Sequence, residues 1–326
     1  VTYYRASEKE PFSEYMRTGY KDSWNPLMFT FDNKNLIVSH NLNGRDKTAV
    51  VEWDLAAKKE TKLLHENADF DVSGVDYSRK RQVLTMITWE GVKAEKKILD
   101  DKTKALYTFL EGKFPGYEVA VASESDDETK RTIWVGSDKV TGRFYYHQDG
   151  SDDLKLLCDR TPWLKEDQLA DMEPITYTSR DGLTIHGYLT LPKGRAKENL
   201  PVVVNPHGGP WARDGWGFNN EAQFLANRGY AVLQMDFRGS TGYGRKHWEA
   251  SFKQWGKTMQ NDITDGVDWL VKQGIADPKR IAIYGGSYGG YATLAGITYT
   301  PDLYACAVDY VGVSNLFTFM NTIPPY

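Results

Sequence analysis

The chain has 326 residues, of which 40% are hydrophobic, 26% charged and 13% aromatic, so about two folded domains are expected and a largely disordered protein is excluded. Its net charge is −4, from 40 Lys and Arg against 44 Asp and Glu, so no basic surface indicates nucleic acid as a partner. Two cysteines, Cys158 and Cys306, exclude a disulfide scaffold and a cysteine-clustered zinc site. No apolar run approaches 18 residues, so no membrane-spanning helix is expected.

Both ends of the sequence look interrupted. The chain begins at Val1 instead of Met, without a leader peptide, and it stops at Tyr326 without an evident terminal element. We therefore expect a fragment of a longer protein. The compartment (cytoplasmic, or periplasmic or secreted) and the oligomeric state stay open.

Residues 1–160 are predicted to form an all-β domain, because apolar runs of four to eight residues alternate there with polar turns. We expect no long helix between Trp24 and Leu157. Similar residues recur about 46 positions apart, which indicates about three blades of an incomplete β-propeller, with a β-sandwich as the alternative. The recurring pairs are Phe31 and Tyr77, Asp54 and Asp100, Leu64 and Leu110, and then Leu110 and Leu157 at a spacing of 47.

The pattern changes after a linker predicted at residues 161–173, in which 164–172 form a short helix that Pro174 ends. From residue 174 to 326 strands and helices alternate, which predicts an α/β domain with a doubly wound, mostly parallel sheet. The expected strands are 184–191, 201–205, 230–236, 280–284 and 305–311, and the expected helices are 221–228, 262–273 and 288–299.

A G-x-S-x-G motif lies between the strand at 280–284 and the helix at 288–299. This strand–turn–helix setting is typical of a nucleophile elbow, whose tight turn admits only small residues two positions before and after the serine. Gly285 and Gly289 occupy those positions. We therefore predict Ser287 as a nucleophile, with the Tyr288 amide directed at a developing oxyanion.

An earlier turn, His207-Gly208-Gly209-Pro210, follows the strand at 201–205 and is expected to supply the second oxyanion donor. His207 has two interpretations. It is either a general base or, as we favour, a side chain that shapes the turn by hydrogen bonding.

Three motifs in this order resemble the prolyl oligopeptidase family of serine peptidases, in particular its acylaminoacyl-peptidase and dipeptidyl-aminopeptidase-like branch. They are the turn at 207–210, Asp236-Phe237-Arg238-Gly239-Ser240-Thr241-Gly242-Tyr243-Gly244, and the elbow continuing through Gly290-Tyr291. The resemblance implies an α/β-hydrolase domain gated by a propeller, Ser287 as nucleophile, the Gly209 and Tyr288 amides as oxyanion hole, and short peptides as substrates. It also implies an apolar substrate pocket walled by Val313, Leu316 and Phe319 together with the ring of Tyr288.

The sequence departs from the family in one respect. The family's triad continues after the serine with an Asp and then a His, but no histidine follows Ser287 here, and we assign neither Asp302 nor Asp309 to the triad. Because a serine without a base is a poor nucleophile, we expect the chain as given to be inactive, with a poorly protected sheet edge that lowers its solubility.

The remaining candidates carry less chemistry. Arg238 either binds a substrate carbonyl or carboxylate, or ties loops together. The acidic run 123–131 lacks metal-ligand spacing and is expected to be a solvated hairpin tip. The glycines at 242 and 244 lack a G-x-G-x-x-G frame, so no nucleotide site is expected, and neither a metal nor an organic cofactor is implied.

The leading hypothesis is thus a serine peptidase that acts on short peptides. An esterase with the same elbow and a non-catalytic propeller interaction protein are the alternatives. The sequence does not distinguish endopeptidase from dipeptidyl- or acyl-peptidase action.

Overall fold

A computed structural model describes residues 1–324. The chain divides into two compact units. The first contains Val1–Gly91, Glu95–Thr103 and Gly242–Glu249, and the second contains Val92–Ala94, Lys104–Thr241 and Ala250–Tyr326. Among the described residues, no helix is both long and apolar enough to cross a bilayer.

Nine strands occupy the chain up to residue 98 and form three sheets, with two, four and three strands. In the four-stranded sheet consecutive strands pair antiparallel, and Trp24, Val38 and Trp53 contribute to its buried core. The strands are β1 (Thr2–Tyr4), β2 (Ser13–Met16), β3 (Trp24–Phe29), β4 (Asn35–His40), β5 (Ala49–Asp54), β6 (Lys59–His65), β7 (Val72–Ser78), β8 (Val83–Glu90) and β9 (Ala94–Ile98).

A helix, α1 (Asp101–Lys113), follows β9, so the expectation of an all-β segment without a long helix is wrong here. Asp100 accepts hydrogen bonds from the amides of Lys102 and Thr103 and thereby caps the first turn. Tyr107 and Leu110 are buried one helical turn apart. The 46-residue repeat pairs Leu110 with Leu64 and Leu157, which both lie in strands. The repeat therefore predicts a strand where the chain forms a helix.

A further antiparallel four-stranded sheet follows α1. Because β3, β7 and the first strand of this sheet begin at residues 24, 72 and 118, the repeat of sheets measures 48 and then 46 residues. The predicted spacing is therefore present, although the second sheet has three strands and α1 follows where the other repeats have a fourth strand. The four strands are β10 (Glu118–Glu124), β11 (Lys130–Ser137), β12 (Val140–Gln148) and β13 (Leu154–Asp159).

The predicted helix at 164–172 is wrong over most of its length. Only Glu166–Gln168 forms a 3₁₀ turn, and the chain is extended from Leu169. Two buried side chains bind this extended backbone: Gln223 accepts from the Ala170 amide and donates to its carbonyl, and Asp138 accepts from the Met172 amide. These tertiary contacts outweigh the local helix preference.

A six-stranded sheet forms the centre of the second unit, in the order β14-β15-β17-β16-β18-β19. The neighbouring strands β17, β16, β18 and β19 pair in parallel. At the other edge β15 pairs antiparallel with both β14 and β17, so the sheet is mostly parallel, as predicted. The strands are β14 (Met172–Thr178), β15 (Thr184–Thr190), β16 (Leu200–Val204), β17 (Ala231–Asp236), β18 (Ala276–Gly286) and β19 (Cys306–Tyr310).

Helices cover this sheet. The helix α4 (Thr258–Lys272) buries a stripe that packs into the same core as Leu233 and Ile281 of the strands; the stripe consists of Met259, Ile263, Val267 and Leu270. The helices after α1 are α2 (Asn220–Ala226), α3 (Arg245–Glu249), α4 (Thr258–Lys272), α5 (Tyr288–Tyr299) and α6 (Leu316–Thr322).

The segment Gly242–Glu249 belongs to the first unit, although it follows β17 of the second. Asp71 donates its amide to the Gly242 carbonyl and accepts from the Gly244 amide, and Lys47 donates to the Tyr243 carbonyl at 2.6 Å. The Tyr243 ring lies 5.7 Å from the ring of Phe70. These contacts account for the glycine-rich end of the second motif without a ligand.

Gly187 of β15 is expected to be essential for the sheet. A Cβ there would lie 2.3 Å from the backbone oxygen of Gln234, so Gly187→Ala should lower the free energy of unfolding by about 1–3 kcal/mol. Gly112→Ala is the matched control, since a Cβ at this α1 position meets nothing within 4 Å and alanine favours the helix by about 0.5–1 kcal/mol. Denaturant unfolding of both variants checks this, and equal stabilities would contradict it.

Candidate active site

Ser287 lies at a sharp turn between β18 and α5 with φ 57° and ψ −115°, a strained backbone that exposes its side chain. A Cβ at Gly285 would come within 2.5 Å of the Gly289 backbone, and one at Gly289 within 2.1 Å of the Pro206 carbonyl oxygen. Both glycines are therefore required by close backbone approach, as the elbow pattern predicts. The Ser287 amide donates to the Tyr310 carbonyl, which fixes the elbow to β19.

The turn His207–Pro210 lies against this elbow. A Cβ at Gly208 would be 3.2 Å from the Gly286 carbonyl oxygen and 3.5 Å from the Cβ of Ser287. The amides of Gly209 and Tyr288 donate no hydrogen bond to any of residues 1–324. The structure thus brings the two predicted donors into one region, and their role as oxyanion hole stays a prediction.

His207 holds the turn in place. Its Nδ1 donates to the Gly208 carbonyl at 2.7 Å. Its Nε2 lies 2.8 Å from the Ser240 hydroxyl oxygen, and that hydroxyl donates to the Phe237 carbonyl at 2.7 Å. The ring stacks on Phe237 with centroids 4.4 Å apart. Burial lowers the pKa of His207 to about 4. Because both ring nitrogens are engaged, the geometry supports the turn-shaping role of His207 and not the role of general base.

A buried carboxyl pair, which the sequence analysis missed, lies beside His207. Asp236 is 3.7 Å from Nε2 of His207 and accepts from the Asp214 amide at 2.7 Å. Gln234 donates to the Asp214 carboxyl at 2.9 Å. Burial and then the neighbouring Asp236 raise the pKa of Asp214 to about 8, so Asp214 is protonated at neutral pH.

The described residues place no base on Ser287. Its hydroxyl forms no hydrogen bond within residues 1–324. Asp309 accepts from the Gly312 amide at 2.9 Å and closes the turn after β19, and Asp302 lies in a 3₁₀ turn.

The predicted pocket residues differ in their surroundings. Val313 is half-buried, whereas Leu316 and Phe319 are 42% and 37% exposed. Phe319 packs on Trp255 at 6.0 Å. The Tyr288 ring is only 1% exposed.

The burial of Tyr288 corrects one expectation, since its ring belongs to the core and does not face a pocket. The ring lies 4.7 Å from Trp255 and 5.2 Å from Phe237. The first turn of α5 directs this side chain inward, while the backbone amide stays at the elbow. Val313, Leu316 and Phe319 remain pocket predictions.

Arg238 ties loops together. Its guanidinium donates to both oxygens of buried Asp262 at 2.8 and 2.7 Å and to both oxygens of Asp181 at 2.7 and 2.9 Å. This double fork favours the structural alternative for Arg238 over substrate binding.

The acidic run near 123–131 surrounds a buried arginine, Arg131, which pairs with Glu124 and Asp149. Within residues 1–324, no group of three His, Cys, Asp or Glu side chains could hold a metal ion.

Comparisons with known proteins agree with this geometry. Residues 216–325 match the sequence profile described as "Prolyl oligopeptidase family". The chain is 37% identical over 323 residues to dipeptidyl aminopeptidase BIII of Pseudoxanthomonas mexicana, over 97% of this chain and 46% of that relative. It is 30% identical over 344 residues to dipeptidyl peptidase family member 6 of Caenorhabditis elegans, over 99% and 46%. The chain spans about half the length of the curated relatives it matches.

A solved puromycin-hydrolyzing peptidase of Mycobacterium tuberculosis has a TM-score of 0.75 at 25% identity, over 94% of this chain and 47% of that one. The repeated antiparallel sheets and the mostly parallel six-stranded sheet correspond to the propeller and α/β-hydrolase architectures. Residues 216–325 thus carry a domain of the prolyl oligopeptidase family.

Replacing Arg238 distinguishes its two interpretations. Arg238→Met leaves the fully buried Asp262 without its guanidinium partner and should lower the free energy of unfolding by about 3–5 kcal/mol. Arg180→Met is the control, because Arg180 forms a similar fork on Asp265 but is half-exposed, and its loss should cost about 1 kcal/mol or less. Equal small effects in denaturant unfolding would show that Arg238 is not structural.

The pKa of His207 predicts an acid-sensitive fold. Its folded value of about 4 lies below the usual 6.5, so the unfolded chain binds the proton first as the pH falls. The contribution of neutral His207 is full above pH 6.5 and is lost towards pH 4, by up to about 3 kcal/mol at roughly 1.4 kcal/mol per pKa unit.

Denaturant unfolding between pH 7 and pH 4 should therefore show a steeper loss for the wild type than for His207→Gln. Asp214, Asp236 and Arg213 face His207 in both proteins, so the difference between the two curves isolates the imidazole. Parallel curves would rule this linkage out.

Proposed function

We propose that this chain carries the nucleophile and the oxyanion hole of a serine peptidase that cleaves short peptides through an acyl-enzyme on Ser287. One observation carries the proposal: an exposed serine at a strained elbow lies beside a turn, and the amides of Gly209 and Tyr288 are both unoccupied. Preorganised amides of this kind stabilise the charge that develops on a substrate carbonyl oxygen.

In the proposed reaction, the Ser287 oxygen attacks the scissile carbonyl carbon and the carbonyl electron pair moves to the oxygen, where the two amides bind it. The intermediate collapses to the Ser287 ester as the amine leaves with a proton. Water then attacks the ester, which releases the acid and restores the hydroxyl.

Both proton transfers need a base, and none of the described side chains contacts the Ser287 hydroxyl. We infer that the 326-residue chain turns substrate over slowly, because losing triad members costs about 10⁴–10⁶ in turnover. Deacylation suffers as acylation does, so an activated ester should leave a lasting acyl group on Ser287.

Short peptides are proposed as substrates because the most similar relatives carry peptidase names. The blades are proposed to restrict which peptides reach the serine, as the family resemblance implies. An esterase remains the nearest alternative, since the elbow serves both chemistries. The two are distinguished by comparing amide with ester turnover in the full-length protein, because only the amide needs leaving-group protonation.

Intact-mass spectrometry after exposure to a p-nitrophenyl ester or a fluorophosphonate tests the nucleophile. One adduct per chain is expected on Ser287, and Ser287→Ala should abolish it without changing the unfolding curve. Ser314→Ala, an exposed serine after β19, should leave the adduct unchanged. An adduct on another serine would rule Ser287 out, and the lack of any adduct would favour a non-catalytic interaction protein.

The proposed pocket predicts selectivity for apolar residues before the scissile bond. Phe319→Ala should reduce the acylation rate for a Leu ester relative to the Ala ester by about tenfold, since apolar pockets discriminate by roughly 1–3 kcal/mol per small group. Phe317→Ala is the control on the same helix, because Phe317 is 86% exposed. Single-turnover rates of the wild type and the two variants with each of the two esters give the ratios. A Lys or Asp ester that acylates faster than Leu would contradict an apolar pocket.

A further inference from the structure

An exposed tryptophan lies directly after the turn that carries one proposed oxyanion donor. Trp211 follows Pro210 and is 56% exposed. A Cβ at Gly209 would lie 2.7 Å from the Trp211 backbone nitrogen, so the chain folds back tightly between the proposed donor and the indole. Aromatic rings contribute large contact areas to binding, and this one lies in solvent beside the candidate active site.

Contacts from the segment before α4 hold the Trp211 ring in place. Its Nε1 donates to the Ser251 hydroxyl oxygen at 3.3 Å, and its ring meets the Phe252 ring edge to face at 6.1 Å. Ser251 is itself buried, and a Cβ at Gly239 of the second motif would lie 2.6 Å from the Ser251 Cβ. The indole is therefore positioned before a substrate arrives, which lowers the entropic cost of binding on its exposed surface.

The strands that lead to Trp211 and to the proposed acyl pocket flank the strand that leads to Ser287. The serine follows β18, whose parallel neighbours in the sheet are β16 and β19. The turns after parallel strands meet at the same edge of a sheet. The turn after β16 leads to Trp211, whereas Val313, Leu316 and Phe319 follow β19. A peptide whose residue before the scissile bond enters the pocket after β19 therefore continues on the side of β16.

We propose that Trp211 determines specificity on the leaving-group side, by stacking on an aromatic side chain of the residue that follows the scissile bond. The inference rests on the proposed acyl-enzyme at Ser287 and adds a subsite to it. An exposed indole face favours aromatic side chains over small aliphatic ones. The preference therefore concerns the amine half of the substrate, while the pocket after β19 selects the acyl half.

Transfer of a preformed acyl group to an added amine tests the leaving-group side directly. The chain is acylated on Ser287 with the p-nitrophenyl ester of N-acetyl-leucine and freed of excess ester, and Phe amide or Ala amide is then added. The amine nitrogen attacks the carbonyl carbon of the Ser287 ester, so that a C–N bond forms, the C–O bond to Ser287 breaks and an amine proton passes to the serine oxygen. This step is the reverse of acylation by a peptide, so the amine occupies the leaving-group side. Mass spectrometry follows the loss of the adduct and the N-acetyl-dipeptide amide that is formed.

The measured quantity is the ratio of the deacylation rates with Phe amide and with Ala amide. Trp211→Ala should lower this ratio by about three- to tenfold relative to the wild type, the range expected for the loss of one aromatic pair. The intrinsic reactivities of the two amines cancel in this comparison. Trp211→Phe retains a ring and should keep most of the preference. Trp163→Ala is the matched control, since Trp163 is a 71% exposed tryptophan of the same unit, and it should leave the ratio unchanged.

Each outcome bears on a different part of the hypothesis. An unchanged ratio in Trp211→Ala, or an equal decrease in Trp163→Ala, would overturn the subsite while the adduct on Ser287 still supports the nucleophile. If Trp211→Ala instead changed the relative acylation rates of the Leu and Ala esters, the ring would lie on the acyl side, against the proposal. A wild-type chain that forms no adduct on Ser287 would overturn the proposed function and the subsite with it.

Discussion

The serine site depends on a backbone-to-backbone contact between Gly289 and the Pro206 carbonyl oxygen, where no side chain fits. This contact brings the first turn of α5 and the turn at 207–210 together, and the amides of Gly209 and Tyr288 donate no hydrogen bond within residues 1–324. The exposed hydroxyl of Ser287 follows from the same constraint, because the strained φ of 57° turns the chain from strand to helix in a single residue. The geometry around Ser287 is therefore a consequence of packing between two turns.

Buried polar groups hold the second motif in position around that contact. Arg238 joins Asp262 of α4 to Asp181 in a loop, and removal of Arg238 would leave the buried Asp262 carboxylate without its guanidinium partner. His207 binds Ser240, three residues after Phe237, on which its ring stacks. The turn at 207–210 is thus fixed by hydrogen bonds of a neutral imidazole and by stacking, in keeping with the lowered pKa of His207.

The sequence was sufficient for the features that depend on local pattern. The parallel strands, α5 and the glycines around Ser287 lie where period and spacing place them. The sequence was insufficient where contacts between residues distant along the chain determine the local conformation. The extended stretch from Leu169 is set by Gln223 and Asp138, which are distant in sequence. The Asp214–Asp236 pair carries no motif and becomes visible only when two loops meet. The 46-residue repeat predicts a strand in place of helix α1, although Asp100 is a helix-capping residue type that the sequence shows.

The motif from Asp236 to Gly244 is divided between the two units: residues up to Thr241 belong to the second unit and residues from Gly242 to the first. Its first part binds the second unit, through the carboxylate of Asp236, the guanidinium of Arg238 and the hydroxyl of Ser240. Its last part, from Gly242, is built into the first unit by Asp71 and Lys47. Asp236, Arg238, Ser240, Gly242 and Gly244 of the motif thus each form a hydrogen bond within the chain. The motif therefore meets structural demands, and the chemistry that we propose uses Ser287 and the amides around it instead.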